Sequence, residues 1–157
     1  MRADYVLGIG DGMRESSGAY CEGWDTSAGS NRPADTGEAG LFQVSYDSFN
    51  TIPELQRLYN EYQADTSRCL LDVFSQGVSC DPQGPLGTGG AADFQVFNKT
   101  CPAFATEYAM ALFRVLRSYS GPIDRYEADV QPSCDSMLQQ VQTIVQNNST
   151  AACAELF

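Results

Sequence analysis

The sequence predicts a mainly α domain of the α+β type: a helical lobe with a small irregular β region. Two observations predict it. Apolar residues recur every three or four positions in several stretches, most regularly over 102–118, which Pro102 opens and Gly121 follows. Only one short segment, GLFQVSY at 40–46, looks like a strand or an extended stretch. Because 157 residues is the usual length of one domain, we expect a single domain over 1–157.

The predicted elements follow in order along the chain. Apolar spacing predicts helices over 3–17, 53–64, 67–76 and 102–118, a short one from Pro122 to about 128, and a last one from Pro132. Proline suits a first helical turn, and Gly18 suits a helix end. Stretches rich in glycine, proline and small polar residues predict loops over 18–39 and 77–92.

Six cysteines predict three disulfides, although the sequence does not choose among the fifteen pairings: Cys21, Cys69, Cys80, Cys101, Cys134 and Cys153. No two of them form a CxxC pair, which disfavours metal knuckles and thioredoxin-like chemistry. Disulfides predict an oxidising compartment, so we expect a secreted, periplasmic or extracellular protein. The N-terminus lacks the layout of a signal peptide, which suggests a trimmed chain or a domain excised from a longer secreted one.

The charge balance excludes several classes of partner. Nine basic residues against twenty acidic ones give a net charge of −11, which disfavours nucleic acid and anionic lipid. No apolar run is long enough to insert into a membrane. The chain has no histidine, which removes Ser-His-Asp and Cys-His catalysis and most zinc and haem sites. We therefore expect a monomer without metal or cofactor, whose acid–base chemistry comes from carboxylates.

The most informative residues are Glu15, near the end of the first predicted helix, and the later segment 40–43, GLFQ. The negative end of the helix dipole and partial burial would both disfavour the ionised form of Glu15, as a general acid requires. The loop between the two segments offers Asp25 and Asp35 as a second carboxylate. One protonated acid facing one ionised carboxylate across a groove is the arrangement that hydrolyses glycosides.

Glu15-Ser16-Ser17-Gly18 with the later Gly40-Leu41-Phe42-Gln43 resembles the lysozyme-like superfamily, in particular the lytic transglycosylases and goose-type lysozymes. In that branch Glu-Ser ends a core helix, and Gly-Leu-Met-Gln follows in a small β region. The chain is also similar to a family of secreted bacterial lysozyme-like domains, with Gly-Pro-Ile-Asp at 121–124 in a similar late position. The specific resemblance covers about 30 residues, with Phe42 where methionine is usual.

The resemblance implies a glycosidase of the muramidase or lytic transglycosylase type, with Glu15 as its general acid and with Asp35 or Asp25 as the second carboxylate. Peptidoglycan is the first substrate that it implies. The chain departs from the family in its longer interval between Glu15 and Gln43. It also has no Ala-Tyr-Asn-Gly motif, which argues against the transglycosylase reaction. Its acidity leaves room for neutral or cationic chains such as chitin or chitosan.

Six further residues are candidates for contact with a polysaccharide: Gln43, Glu38, Trp24, Tyr119, Arg125 and Tyr126. Each has an ordinary structural alternative, such as core packing for Tyr119 or a hydrophobic plug for Trp24. Two other functions remain open. One is a non-catalytic carbohydrate-binding or cell-wall-associated domain on the same fold. The other is a disulfide-held structural module or inhibitor, which would have no groove at Glu15.

Overall fold

The structure is a computed structural model that describes residues 2–69, 78–115 and Thr143, with side chains from Gly8 onward. Residues 8–117 form one compact unit, and residues 1–7 with 118–157 form another. The second unit lies almost wholly outside the described residues, so the contacts below all belong to the first. A single domain over 1–157 stays a prediction.

The described part of the chain is mainly helical, which confirms the predicted fold class. Its helices are α1 (Arg2–Ser16), α2 (Pro53–Ala64), α3 (Gly90–Thr100) and α4 (Pro102–Val115). Prolines stand at the first positions of α2 and α4, where a missing N–H costs no hydrogen bond. Helix α1 ends where expected, because Ser17 and Gly18 turn the chain at φ angles of 54° and 81°. None of the described helices is both long enough and apolar enough to cross a membrane.

Aromatic rings form the core between α2, α3 and α4. Phe94 of α3 is fully buried, and its ring centroid lies 5.3 Å from Tyr108 and 6.0 Å from Phe104, both in α4. Tyr62 of α2 packs against Phe104 at 5.9 Å. The Tyr62 hydroxyl donates a hydrogen bond to Glu107 Oε1 at 2.6 Å. Burying several large rings in mutual edge contact gives this small unit a stable support for its loops.

The prediction of a strand or extended stretch over 40–46 is wrong for most of the segment. Gly40 and Gln43 both have positive φ angles, so the chain reverses within four residues instead of extending. The single β bridge of the described residues, Ala39 with Val44, closes this turn. A 3₁₀ turn over Tyr46–Asn50 follows directly. The small irregular β region is therefore one closed turn, called here the GLFQ turn (40–43).

The predicted loop over 77–92 is too long at its end, because α3 begins at Gly90. The sequence prediction missed this helix. Two of its buried positions carry polar side chains, Gln95 and Asn98, which interrupt the apolar stripe that marks a helix. The loop over 18–39 is confirmed and contains two 3₁₀ turns, Thr26–Ala28 and Ala34–Thr36.

Several predicted helices fall on residues that the structure describes only in part. The prediction over 102–118 is confirmed as far as Val115. The predicted helix over 67–76 lies mostly outside the described residues. Its described beginning belongs to a 3₁₀ turn at Thr66–Arg68. The predicted helices from Pro122 and Pro132 also lie outside them.

Two of the three predicted disulfides are present. Cys69–Cys101 joins the end of the 3₁₀ turn after α2 to the residue before α4, with 4.2 Å between the Cα atoms. Cys21–Cys80 joins two loops, with 5.1 Å between the Cα atoms. Cys134 and Cys153 lie outside the described residues.

Candidate active site

An open groove of about 360 Å³ lies beside the end of α1. It brings together four of the residues predicted from the sequence, and its other walls are polar. The residues that matter for its chemistry are Glu15, Trp24, Asp25, Gln43, Asp81 and Gln83.

Ser16 ties the end of α1 to the GLFQ turn. Its buried hydroxyl lies within donating distance of two carbonyl oxygens, that of Gly12 at 2.8 Å and that of Leu41 at 2.9 Å. Gly12 itself lies against Leu41 and Phe42, where a side chain would come into ordinary van der Waals contact with both. The Glu-Ser and GLFQ motifs, far apart in sequence, are thus in contact.

The GLFQ turn points neighbouring side chains to opposite sides. Phe42 is buried in the aromatic core, and the positive φ of Gln43 directs the next side chain into the groove. Gln43 Nε2 donates to the carbonyl oxygen of Gly40 at 3.1 Å, which fixes its amide. Gly40 is required because a Cβ there would lie 2.9 Å from the carbonyl oxygen of Asn98.

Glu15 is less enclosed than the sequence predicted. Its side chain is 38% exposed, and its Oε1 lies 3.6 Å from Nε of Arg14, whose own side chain is 66% exposed. Such an exposed ion pair contributes little to stability. The carboxyl of Glu15 is therefore free to meet a ligand entering the groove.

Asp25 is the loop carboxylate that shares the groove with Glu15. It caps the 3₁₀ turn Thr26–Ala28: Oδ1 accepts from the backbone N–H of Ser27 at 2.8 Å, and Oδ2 accepts from the Ser27 hydroxyl at 2.9 Å. These hydrogen bonds, with a smaller contribution from the Arg32 charge, hold the pKa of Asp25 below its usual value. Asp25 is thus an ionised carboxylate fixed in orientation by Ser27.

The other predicted residues lie elsewhere. Asp35 is exposed on the turn Ala34–Thr36, away from the groove that the described residues form. Glu38 does not line the groove either. Partial burial raises its pKa, the Arg32 guanidinium opposes the rise, and the Glu15 carboxylate adds to it. Tyr119, Arg125 and Tyr126 lie outside the described residues.

Asp11, one helical turn before Glu15, was not among the residues predicted from the sequence. Burial and, to a smaller extent, the Glu15 carboxylate raise the pKa of Asp11 to about 6, while Arg14 lowers it. The spacing of four residues on one helix, which makes neighbours of the two carboxyls, was the signal in the sequence. The Asp11 carboxyl, near the end of α1, is therefore half protonated at about pH 6.

Trp24 forms a fixed wall of the groove. Its Nε1 donates to the carbonyl oxygen of Gly84 at 3.1 Å, and the guanidinium carbon of Arg32 lies 5.8 Å from its ring centroid. A ring that is anchored at its nitrogen and flanked on one face by Arg32 can present its remaining surface to a ligand.

A second wall, in contact with Trp24, comes from segment 78–89, which has no helix or strand. Helix α3 holds this segment through its backbone. Lys99 Nζ donates to the carbonyl oxygens of Asp81 at 3.0 Å and Gln83 at 2.7 Å. Gln95 Oε1 accepts from the N–H of Leu86 at 2.8 Å. These wall residues were not predicted, because nothing in the sequence of the segment indicates where it docks.

Disulfide Cys21–Cys80 joins the two walls directly. Glu22 to Asp25 follow one cysteine and Asp81 to Gln83 follow the other, so both walls start from the same bond. Gly23 is confined between them, since a Cβ there would collide with the Asp81 carboxylate. The pairing of these two cysteines therefore holds the two lining segments next to each other.

No cluster of three or more metal-ligating side chains occurs within the described residues. No protein-family model, curated protein or solved structure matches the chain.

Proposed function

We propose that this protein is a glycoside hydrolase that cleaves β-1,4-linked amino-sugar polysaccharide, with Glu15 as general acid and Asp25 as the second carboxylate. Peptidoglycan is the first candidate substrate, and chitin-type chains are the second. One observation carries the proposal: Glu15, near the end of α1, and Asp25, in the loop that follows, line the same open groove beside a tryptophan. A secreted or periplasmic location and kinship with the lysozyme-like superfamily belong to the same proposal.

The two carboxyls suit different chemical roles. Glu15 would donate a proton to the leaving glycosidic oxygen, because it is accessible at the end of a helix. Asp25, which Ser27 keeps ionised, would activate water or stabilise the positive charge that develops on the sugar. Gln43 and Trp24 would orient the sugar rings between them, the first by hydrogen bonding and the second by its apolar surface.

A second function, carbohydrate binding without catalysis, is favoured by the exposure of Glu15 and its pairing with Arg14. Both functions predict that the groove binds sugar oligomers. Only the hydrolase predicts turnover that depends on Glu15, so measuring turnover separates them.

The test is turnover on a panel of peptidoglycan, chitin and chitosan, with wild type compared with Glu15→Gln. Glutamine keeps the shape of the side chain but cannot give up a proton. We expect kcat to fall about 10²- to 10⁴-fold with little change in KM, because the proton moves only in the transition state. Reducing-end products would indicate hydrolysis, and anhydro products would indicate the lytic transglycosylase reaction.

The matched control is Glu61→Gln. Glu61 is also a half-exposed helical glutamate paired with an arginine, Arg57 at 2.6 Å, but it does not line the groove. It should keep wild-type kcat. A folded Glu15→Gln protein whose kcat stays within threefold of wild type would remove Glu15 from the mechanism, and binding without turnover by wild type would favour the second function.

A further inference from the structure

Asp11 carries a half-buried carboxyl that the proposed mechanism does not use. Within the described part of the chain it makes no hydrogen bond and no ion pair, because Nε of Arg14 contacts Oε1 of Glu15 at 3.6 Å instead. A carboxylate without either kind of partner is unfavourable in a partly buried position, so the Asp11 carboxyl favours its protonated form. An asparagine at this position would avoid that cost, and carboxyls perturbed in this way are concentrated at functional sites.

The geometry of α1 places Asp11 beside Glu15. Residues four apart on a helix share one face and have Cβ atoms about 5–6 Å apart. The adjoining face of α1 packs against the GLFQ turn, where a Cβ at Gly12 would lie 3.4 Å from the side chain of Leu41. Asp11 thus lies at the edge of the packed face, and Glu15 lies one helical turn further on, at the groove.

The charged groups around this pair of carboxyls come from three places. Helix α1 contributes Arg14, the loop over 18–39 contributes Glu38, whose carboxyl senses the Glu15 charge, and the groove adds Glu22, Asp25 and Asp81. The described side chains that lie against Gly8 and Gly12 are apolar: Met110 of α4, and Leu41 and Phe42 of the GLFQ turn. The proton on Asp11 is therefore governed chiefly by burial and by the charges of Glu15 and Arg14.

Two carboxyls that are neighbours and differ in burial lose their protons in two steps, which belong to the pair. Burial and the Glu15 carboxylate raise the pKa of Asp11 to about 6. An isolated glutamate, with an ordinary pKa of about 4.3, is ionised at that pH. The pair consequently retains one proton over a range of pH in which a single exposed carboxyl has none, and either member can carry it.

We propose that Asp11 and Glu15 share one proton, and that Asp11 is a positioning residue that keeps this proton available for Glu15 to donate. The proton leaves the pair from Glu15, because Glu15 lines the groove and Asp11 does not. It goes to the leaving glycosidic oxygen, both carboxyls are then ionised, and the pair takes up another proton from solvent before the next cycle. This inference rests on the proposed function and adds a residue to its general acid.

The first test follows the side-chain carboxyl carbons of Asp11 and Glu15 by NMR during a pH titration without substrate. Wild type is compared with Asp11→Asn, which keeps the shape of the side chain and has no charge to bury. We expect Glu15 to show two transitions in wild type, the upper one near pH 6 together with Asp11, and a single lower transition in the variant. Identical Glu15 transitions in the two proteins would overturn the proposal.

The second test is the pH dependence of kcat/KM, which reports the ionisations of the free enzyme. Wild type should lose activity above about pH 6, and in Asp11→Asn the loss should begin about one pH unit lower. At pH 7 the variant should therefore be about tenfold slower, while its rate at low pH stays within about twofold of wild type. A merely structural role of Asp11 would lower the rate at every pH and leave the upper limb in place.

Two further variants serve as controls. Asp11→Glu keeps a carboxyl at this position and should return the upper limb towards that of wild type. Glu61→Gln removes one negative charge from α2, away from the groove, and should leave the profile unchanged.

The outcomes for the shared proton and for catalysis are separate. Turnover with the same upper limb in wild type and in Asp11→Asn would support the hydrolase and reject the role of Asp11. A wild-type protein without turnover would reject the hydrolase, and the NMR comparison would still decide whether the two carboxyls share a proton.

Discussion

The hydroxyl of Ser16 lies 2.9 Å from the carbonyl oxygen of Leu41, although 25 positions separate the two residues. This contact holds the end of α1 against the GLFQ turn. Glu15, directly before Ser16, and Gln43, two positions after Leu41, consequently face the same groove. The geometry of the candidate site therefore depends on a hydrogen bond between residues that themselves do not line it.

Ser16→Ala should destabilise the protein by about 1–2 kcal/mol, because it leaves the partly buried carbonyl oxygen of Leu41 without this donor. Turnover should fall as well, since Glu15 and Gln43 would lose their fixed relationship. Urea denaturation and kcat measure the two effects. Ser30→Ala, at an exposed loop position, is the control and should change neither; an unaltered free energy of unfolding in Ser16→Ala would contradict the bond's importance.

Gly40→Ala should be much more damaging than Gly29→Ala, although both glycines have φ angles near 80°. A Cβ at Gly40 would lie 2.9 Å from a backbone oxygen of Asn98, while a Cβ at Gly29 meets nothing within 4 Å. We expect losses of about 2–4 kcal/mol for the first and about 1 kcal/mol for the second. Equal losses, measured by denaturation, would show that the fit against Asn98 is unimportant.

Asp11 should make the protein less stable as the pH rises from about 4 to about 6. Its pKa is about 6 in the folded protein and 3.8 ordinarily, so the folded state binds the proton more tightly and loses that advantage as the pH rises through this window. Asp11→Asn should remove this pH dependence and gain about 1–2 kcal/mol at pH 7, after allowance for solvent screening of a half-buried group.

The difference in unfolding free energy between wild type and Asp11→Asn, measured at several pH values, isolates this effect. Glu15→Gln offers an independent check, since the Glu15 charge contributes to the raised pKa of Asp11. In that variant the Asp11 carboxyl, followed by NMR, should titrate at a lower pH. A difference in stability that does not vary with pH would refute the prediction.

Asp25→Asn should lower kcat at least about 100-fold, and Asp35→Asn should leave it within about threefold of wild type. Both residues lie in the loop over 18–39, but only Asp25 reaches the groove. The two variants remove the same charge from the same loop, so each is the other's control. The reverse ranking in steady-state turnover would assign the second carboxylate to Asp35.

Disulfide Cys21–Cys80 should be reduced before Cys69–Cys101. Cys80 is exposed, whereas Cys69 and Cys101 are 7% and 0% exposed. Mass spectrometry after mild reduction and alkylation would identify the first pair. Its loss should lower stability by about 2–4 kcal/mol, given its separation of 59 residues, and should weaken sugar binding because both groove walls begin at this bond. Earlier modification of Cys69 would contradict this order.

Helices α2 and α4 could be predicted from the sequence because each begins at a proline and repeats apolar residues at helical spacing. Helix α3 could not, because Gln95 and Asn98 occupy buried positions where their amides bind backbone groups. From sequence alone, a buried amide cannot be told apart from one on a solvated face. The tertiary contacts that stabilise α3 could therefore not be predicted from the sequence.

The sequence also left the choice between Asp25 and Asp35 open. The path of the long loop depends on the Cys21–Cys80 pairing, which is one of fifteen possibilities, and on Gln95 Nε2 donating to the carbonyl oxygen of Ala34 at 3.0 Å. Both constraints join residues far apart in the chain. Local sequence patterns identified Asp25 and Asp35 as candidates for the second carboxylate. Long-range contacts determine which of them lies in the groove with Glu15, and that residue is Asp25.

Segment 78–89 is fastened to the rest of the unit by its main chain: Trp24, Gln95 and Lys99 bind its carbonyl oxygens and one N–H. Of its own side chains, Cys80 adds the disulfide and Leu86 is buried at 5% exposure. Replacing Pro82, Gln83 or Pro85 should therefore change the surface that this segment offers beside Trp24 without detaching the wall. A combinatorial library confined to these three positions is therefore a direct route to a protein with altered sugar preference. Because substitutions here leave the backbone contacts in place, natural variants could also differ at these positions in the ligand they bind and keep the same fold.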